Sequence, residues 1–130
     1  EFLYKKKEIP MVVNGNNANL PDGKLLYTNN CMSCHQANGE GLKGAFPSLK
    51  GSPIVLGDDL ELLVNIIMLG YDARPEYAVM NAVGLDNNLT PEEVTAIINH
   101  EKTSWGNNAK TVTPEEVKKL MDFIKLTSNK

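Results

Sequence analysis

Hydrophobic positions along this chain gather into helical stripes, and the stripes are separated by long stretches with no period. Leu60, Leu63, Val64, Ile67 and Met68 recur at i, i+3, i+4, i+7 and i+8, which aligns them on one helical face. Asp58 or Asp59 is the expected cap of that helix, and Gly70 its stop. Asp22 to about Asn29 reads as a shorter helix with Pro21-Asp22 as its start signal. Thr90-Pro91-Glu92-Glu93 and Thr113-Pro114-Glu115-Glu116 are two copies of one capping box, each with proline at the first helical position. Val94, Ile97 and Ile98 follow the first box on one face, as far as Gly106-Asn107. Val117, Leu120, Met121 and Ile124 follow the second. The duplication is of caps, not of a structural unit.

Between the helices the pattern fails. Cys31 to Gly57 contains five glycines and two prolines and reads as loop; Tyr71 to Leu89 is also irregular. No segment alternates as a strand would. The chain therefore reads as all-α, with four helices and long loops. Such loops are uncommon in a compact domain unless something besides the chain supplies a core for them, and a large flat cofactor does that.

At 130 residues the chain is long enough for one domain. Residues 1–20, with Lys5-Lys6-Lys7 and the polar run Asn14 to Asn19, are expected to form a solvated arm or linker, and residues 21–130 the domain. The net charge of -3 argues against a nucleic-acid partner, which needs a basic face. The most apolar stretch, Leu60 to Leu69, is broken by Glu61 and Asn65 and is far short of the roughly 20 residues that span a bilayer. No secretory leader is evident, so the chain reads as a mature form or a domain of a longer protein. The acidic pairs Asp58-Asp59, Glu92-Glu93 and Glu115-Glu116 all open helices, where capping and the helix dipole account for them.

The chemistry is carried by Cys31-Met32-Ser33-Cys34-His35, a CxxCH sequence and the site of both cysteines. Two thiols at this spacing can add to the two vinyl groups on one porphyrin edge, and the histidine that follows then lies under the ring centre as a ligand to iron. Two other readings compete. A thioredoxin-type CxxC needs a βαβ context that the pattern does not provide. A zinc site needs four ligands, and only Cys31, Cys34, His35 and the distant His100 are available.

With Gly23, Tyr27, the CxxCH segment, Gly39-Glu40-Gly41, Gly44-Ala45-Phe46-Pro47-Ser48-Leu49, Gly51, Gly70 and Met80 in this order, the chain resembles a class I c-type cytochrome over about residues 22–126. Ser104-Trp105-Gly106-Asn107 and the Thr-Pro-Glu-Glu-Val that follows are similar to cytochrome domains of larger oxidoreductases. The resemblance implies an all-α fold around one haem c, attached through Cys31 and Cys34, with the first and last helices packed crosswise at Gly23. It implies His35 and Met80 as iron ligands and the Pro47 carbonyl as acceptor for His35 Nδ1. Met80 is followed here by Asn81, where the family commonly has proline. Met68 is the rival ligand, but its place on an apolar stripe already accounts for it. Met11, Met32 and Met121 are not favoured, and His100 is expected on a surface face beside Glu101 and Lys102. Arg74 is a candidate partner for a haem propionate. Trp105 is a candidate to pack at a propionate edge or, as expected here, to seal the core between the last two helices.

The function expected from the resemblance is electron transfer by an iron with no open position, not catalysis. The alternative is the electron-entry domain of a quinoprotein dehydrogenase, haem–copper oxidase or nitrite reductase. A gas-binding sensor is a weaker third reading, and no distal histidine suggests a peroxidase. Expected partners are redox proteins, and the expected location is the periplasm or an extracytoplasmic membrane face, where a segment upstream of residue 1 could act as tether. Cys31 to Gly39 and Tyr77 to Leu85 contain no acidic or basic residue apart from His35, which predicts an uncharged docking patch there.

Overall fold

A computed structural model of the chain describes residues 11–12, 20–72 and 75–128. Its elements are β1 (Met11–Val12), β2 (Leu20–Pro21), α1 (Gly23–Asn30), α2 (Met32–His35), α3 (Pro53–Leu56), α4 (Leu60–Leu69), α5 (Val83–Asp86), α6 (Pro91–Thr103) and α7 (Pro114–Ser128). The four expected helices are α1, α4, α6 and α7. Three single turns, α2, α3 and α5, lie in the stretches read as loop. The one ladder among the described residues is β1 against β2, antiparallel, with Val12 opposite Leu20. Two residues per strand are too few for a period to show, and Leu20 is buried.

Each long helix starts where its cap dictates. The Asp22 carboxylate accepts from the amides of Lys24 and Leu25 at 3.1 and 3.2 Å. Asp59, not Asp58, caps α4 through the Leu62 amide. Thr90 and Glu93 exchange hydrogen bonds in a complete capping box, and Thr113 and Glu116 repeat it at α7. α6 ends earlier than expected, at Thr103. Trp105 and Gly106 then both take positive φ, 58° and 89°, and turn the chain away.

The core is built around α6. Nine of its residues are buried, among them Val94, Ile97, Ile98, Glu101 and Lys102. α1 packs on one side of it, while α7 packs against both α6 and α4. The close helix pair expected from the resemblance is thus α1 with α6 rather than α1 with the final helix. Gly23 is what brings them together, because a Cβ there would run into the Ala96 carbonyl. Val117, Met121 and Ile124 of α7 close the core with Leu63, Val64, Ile67 and Met68 of α4.

Two expectations are corrected here. His100-Glu101-Lys102 is not a surface face: His100 is half-buried, and Glu101 and Lys102 are each 4% exposed. A charged triplet reads as solvated unless neighbouring elements cover it, and α1, α3 and the cavity described below do so. Trp105 does not seal the last two helices. Its ring stands 5.2 Å from Tyr27 and 5.4 Å from His100, and its Nε1 donates to the Ala37 carbonyl at 2.8 Å. It joins α6 to the segment that follows the CxxCH motif.

Candidate functional site

Cys31 closes α1 and opens α2, so the CxxCH motif sits on a single helical turn at the end of a packed helix. The His35 amide donates to the Cys31 carbonyl at 3.0 Å, which closes that turn. Gln36 then takes φ 69° without being glycine, and the Tyr27 hydroxyl holds its carbonyl at 2.7 Å. The loop beyond is tied back in several places. The Gly41 amide donates to the His35 carbonyl at 2.9 Å, and Leu49 and Lys50 donate to the Gly39 carbonyl at 2.7 and 3.0 Å. Gly41, at φ 67°, lies where a Cβ would strike the Phe46 and Pro47 carbonyls. This close approach delivers Pro47 to His35.

The result is a fixed imidazole. His35 is 7% exposed, and its Nδ1 lies 2.9 Å from the Pro47 carbonyl oxygen. A carbonyl only accepts, so Nδ1 carries the proton and Nε2 is left with a lone pair. Burial holds the His35 pKa below the usual imidazole value, which keeps the ring neutral; the Pro47 hydrogen bond opposes this more weakly.

Met80 is set by a different device. Its amide donates to the Tyr71 carbonyl at 2.9 Å and its carbonyl accepts from the Tyr71 amide at 3.0 Å, an isolated antiparallel pair just past α4. Gly70 permits the turn, with φ 83° and the Met80 carbonyl where a Cβ would sit. Ala78 is pinned in turn to the Ala45 carbonyl at 2.8 Å.

Cys31, Cys34, His35, Pro47 and Met80 all line one cavity of about 480 Å³, with Leu63, Ile66 and Ile67 of α4 and Ile54 and Val55 of α3 forming apolar wall. Neither Met68 nor His100 is part of that wall. Met68 is fully buried, and its sulfur lies against Gly84 of α5. Met121 is likewise fully buried, and Met32 packs against the core. Met11 has no described side chain, and Arg74 lies outside the described residues. Among the described residues no three His, Cys, Asp or Glu side chains group as a metal cluster, so the zinc alternative finds no ligand set. The two cysteines form no disulfide with each other, and burial, with Glu101 and Cys34 adding, pushes an unlinked Cys31 thiol up.

This donor set would fit a flat, largely apolar cofactor that takes two covalent links and two protein ligands. The thiols are adjacent to the imidazole on one turn, a free imidazole nitrogen and a thioether share the cavity, and the volume lies in the range of cofactor pockets.

Three contributors escaped sequence reasoning. Asn107 donates to the Leu49 and Glu101 carbonyls at 3.1 and 2.8 Å and accepts from the Gly51 amide at 2.8 Å, which anchors the loop under the cavity to the end of α6. Asn99 exchanges hydrogen bonds with Val112 at 3.0 and 2.8 Å and fixes the approach to α7. Glu101 is a carboxyl in the cavity wall itself. The first had a faint signal, an asparagine beside a helix-ending glycine; the other two had none.

The family profile "Cytochrome c" matches residues 20–105. The chain is 34% identical over 125 residues to the cytochrome c subunit of alcohol dehydrogenase (quinone) from Gluconacetobacter polyoxogenes, covering 93% of this chain and 26% of that subunit. It is 36% identical over 110 residues to cytochrome c-552 from Thermus thermophilus, covering 76% of this chain and 83% of that protein. The fructose dehydrogenase cytochrome subunit of Gluconobacter japonicus is 33% identical over 105 residues, covering 76% of this chain and 22% of the subunit. The chain thus spans about a quarter of the dehydrogenase subunits it matches and most of the small cytochrome.

Proposed function

The chain belongs to the cytochrome c family, and from that premise we propose that it is a monohaem electron carrier with haem c linked to Cys31 and Cys34, His35 and Met80 as iron ligands, and residues 21–130 as its working domain. When bound, the haem supplies a one-electron Fe(III)/Fe(II) couple, which a thioether ligand moves to higher potential. The observation that carries the reading is His35: its Nδ1 proton is given to Pro47 at 2.9 Å, leaving Nε2 for a ligand in a cavity that Met80 and both thiols also line. The Pro47 carbonyl fixes the tautomer and raises the basicity of the ring. The apolar wall from α3 and α4 would keep the surroundings of a bound group low in polarity and so reduce the reorganisation that accompanies a change of charge. Met80 would supply the second protein ligand, leaving a bound iron no open position for a substrate.

The test is on the purified holoprotein. Acid–acetone should leave the haem on the chain, and the denatured mass should exceed that of the apoprotein by one haem. Cys31→Ala together with Cys34→Ala should make the haem extractable. Retention of the haem in that double variant would defeat the covalent assignment.

A second reading concerns where the electrons come from. The alignment with the quinone-dependent dehydrogenase subunit covers 93% of this chain but 26% of the subunit, which supports a role as electron-entry domain or partner of a dehydrogenase. Such a domain works outside the cytoplasm, in the periplasm or held at an extracytoplasmic membrane face by chain preceding residue 1. Stopped-flow mixing with a quinone-dependent dehydrogenase and its substrate should reduce the haem faster than the substrate alone; equal rates exclude that partner class. Fractionation of producing cells beside a periplasmic marker checks the location.

A further inference from the structure

Glu101 is a carboxyl where the proposed function needs none. It is 4% exposed and lies in the wall of the cavity that holds Cys31, Cys34 and His35. Its neighbour Lys102 is equally buried but does not neutralise it by direct pairing. The Lys102 ammonium is held by the Val55 carbonyl at 2.8 Å and reaches the Gly57 carbonyl at 3.5 Å. Among the described residues no cation forms an ion pair with Glu101; a buried carboxylate so placed is costly, and the relief open to it is to take up a proton.

The groups around it leave that option open. From α1 and the turn after it come Tyr27 and Cys31, both of which feel the Glu101 charge. Across the cavity stand His35, Lys50, Tyr71 and Tyr77, and Lys50 is exposed beside Glu40 at 3.5 Å. α3 and β2 bring no ionisable side chain, and the charged residues of α7 are exposed. Lys102, also acted on by Asp58, is the cation whose charge favours ionised Glu101. Burial outweighs it and pushes Glu101 up to about 8.

We infer that Glu101 is a proton site coupled to the oxidation state of the haem: it takes up a proton when the haem is reduced and releases it on oxidation. This rests on the haem reading of the cavity. One electron from a one-electron donor converts Fe(III) to Fe(II), one proton from solvent converts the carboxylate to the acid, and no other bond forms or breaks. The physical cause is electrostatic. Reduction removes one positive charge from the cavity, and in a water-poor interior that charge is weakly screened from a carboxylate in the same wall. Glu101 therefore holds its proton more tightly in the reduced state, and the electron-transfer equilibrium depends on pH.

The test is an equilibrium redox titration of the holoprotein at successive pH values, with Glu101→Gln in parallel. One proton per electron changes the equilibrium constant up to tenfold per pH unit, about 59 mV for one electron. Wild type should approach that slope between its two titrations, and Glu101→Gln should be flat over the same interval. An undiminished slope in the variant assigns the effect to other groups, such as the propionates, and overturns the proposal. Reduced-minus-oxidised infrared spectra of wild type supply a readout that needs no variant. A protonated-carboxyl band should appear on reduction and shift in deuterated buffer; its absence also overturns the proposal. The sharp bands of the reduced optical spectrum and the covalent mass report on the haem reading separately. A flat potential in wild-type protein that keeps them removes the proton site alone.

Discussion

A histidine binds iron through the nitrogen that carries no proton, and whatever accepts from the other nitrogen decides which that is. At His35 the acceptor is the Pro47 carbonyl, so tautomer and ring orientation are set by the main chain. Met80 and Met68 differ in the same way, by surroundings and not by type. Met80→Ala should open the iron to carbon monoxide, abolish the far-red sulfur-to-iron band of the oxidised form and lower the potential. Met68→Ala should keep that band and cost about 2–5 kcal/mol of stability in denaturant melts, as core truncations do. The reverse pattern would exchange the two assignments. Glu101 makes a stability prediction as well. Its folded pKa is raised, so its contribution is full below its unfolded value of about 4.5 and is lost as pH rises through about 8. His100 acts oppositely: burial, with Lys24 adding, lowers its folded pKa, so stability falls as pH drops below about 6.5. Glu101→Gln should therefore reduce the fall in urea midpoint as pH rises toward about 8. The CxxCH motif and Met80 were legible as residues. Glu101 was not, because its identity states only what burying it costs, and whether it is buried depends on what packs against α6.

Among the elements, α6 carries the most. Its start is local and was legible from Thr90 to Glu93: a hydroxyl three residues ahead of a glutamate satisfies two orphan amides wherever the helix finds itself. Thr90→Ala should accordingly destabilise the holoprotein by about 1 kcal/mol in chemical denaturation. What surrounds α6 is not local. Gly23 is the first residue of α1, so Gly23→Ala gains little helix propensity, while the added methyl meets the Ala96 carbonyl, main chain that cannot swing aside. The expected outcome is a net loss of about 1–3 kcal/mol, as for overpacked cores, measured as a lowered denaturation midpoint. A gain in stability would mean that α1 and α6 can separate at little cost. The single turns α2, α3 and α5 could not be read in advance, since four residues are too few for a helical stripe.

Over the whole molecule, charge and exposure decide how a partner approaches. Ala37, Val79 and Asn81 are exposed, with Val79 at 59% and in the cavity wall, whereas Met32 is half-buried against the core. The docking patch predicted from the uncharged segments is therefore best probed at Val79. Val79→Lys should slow electron exchange with a redox partner several-fold, and the wild-type rate should change little with ionic strength. A steep salt dependence with an unimpaired variant would locate docking elsewhere. By itself, the sequence determined the four long helices with their caps, the CxxCH motif, the family, and the need for something other than side chains to fill the space between the long loops. These follow from spacing and residue type, which act over a few neighbouring positions. The tertiary structure alone decided that α1 packs chiefly on α6, that Trp105 packs on Tyr27, that Asn107 ties a distant loop to α6, and that Glu101 faces the cavity. These depend on groups far apart in the chain, and such placements are set by how whole helices pack, which no local pattern encodes.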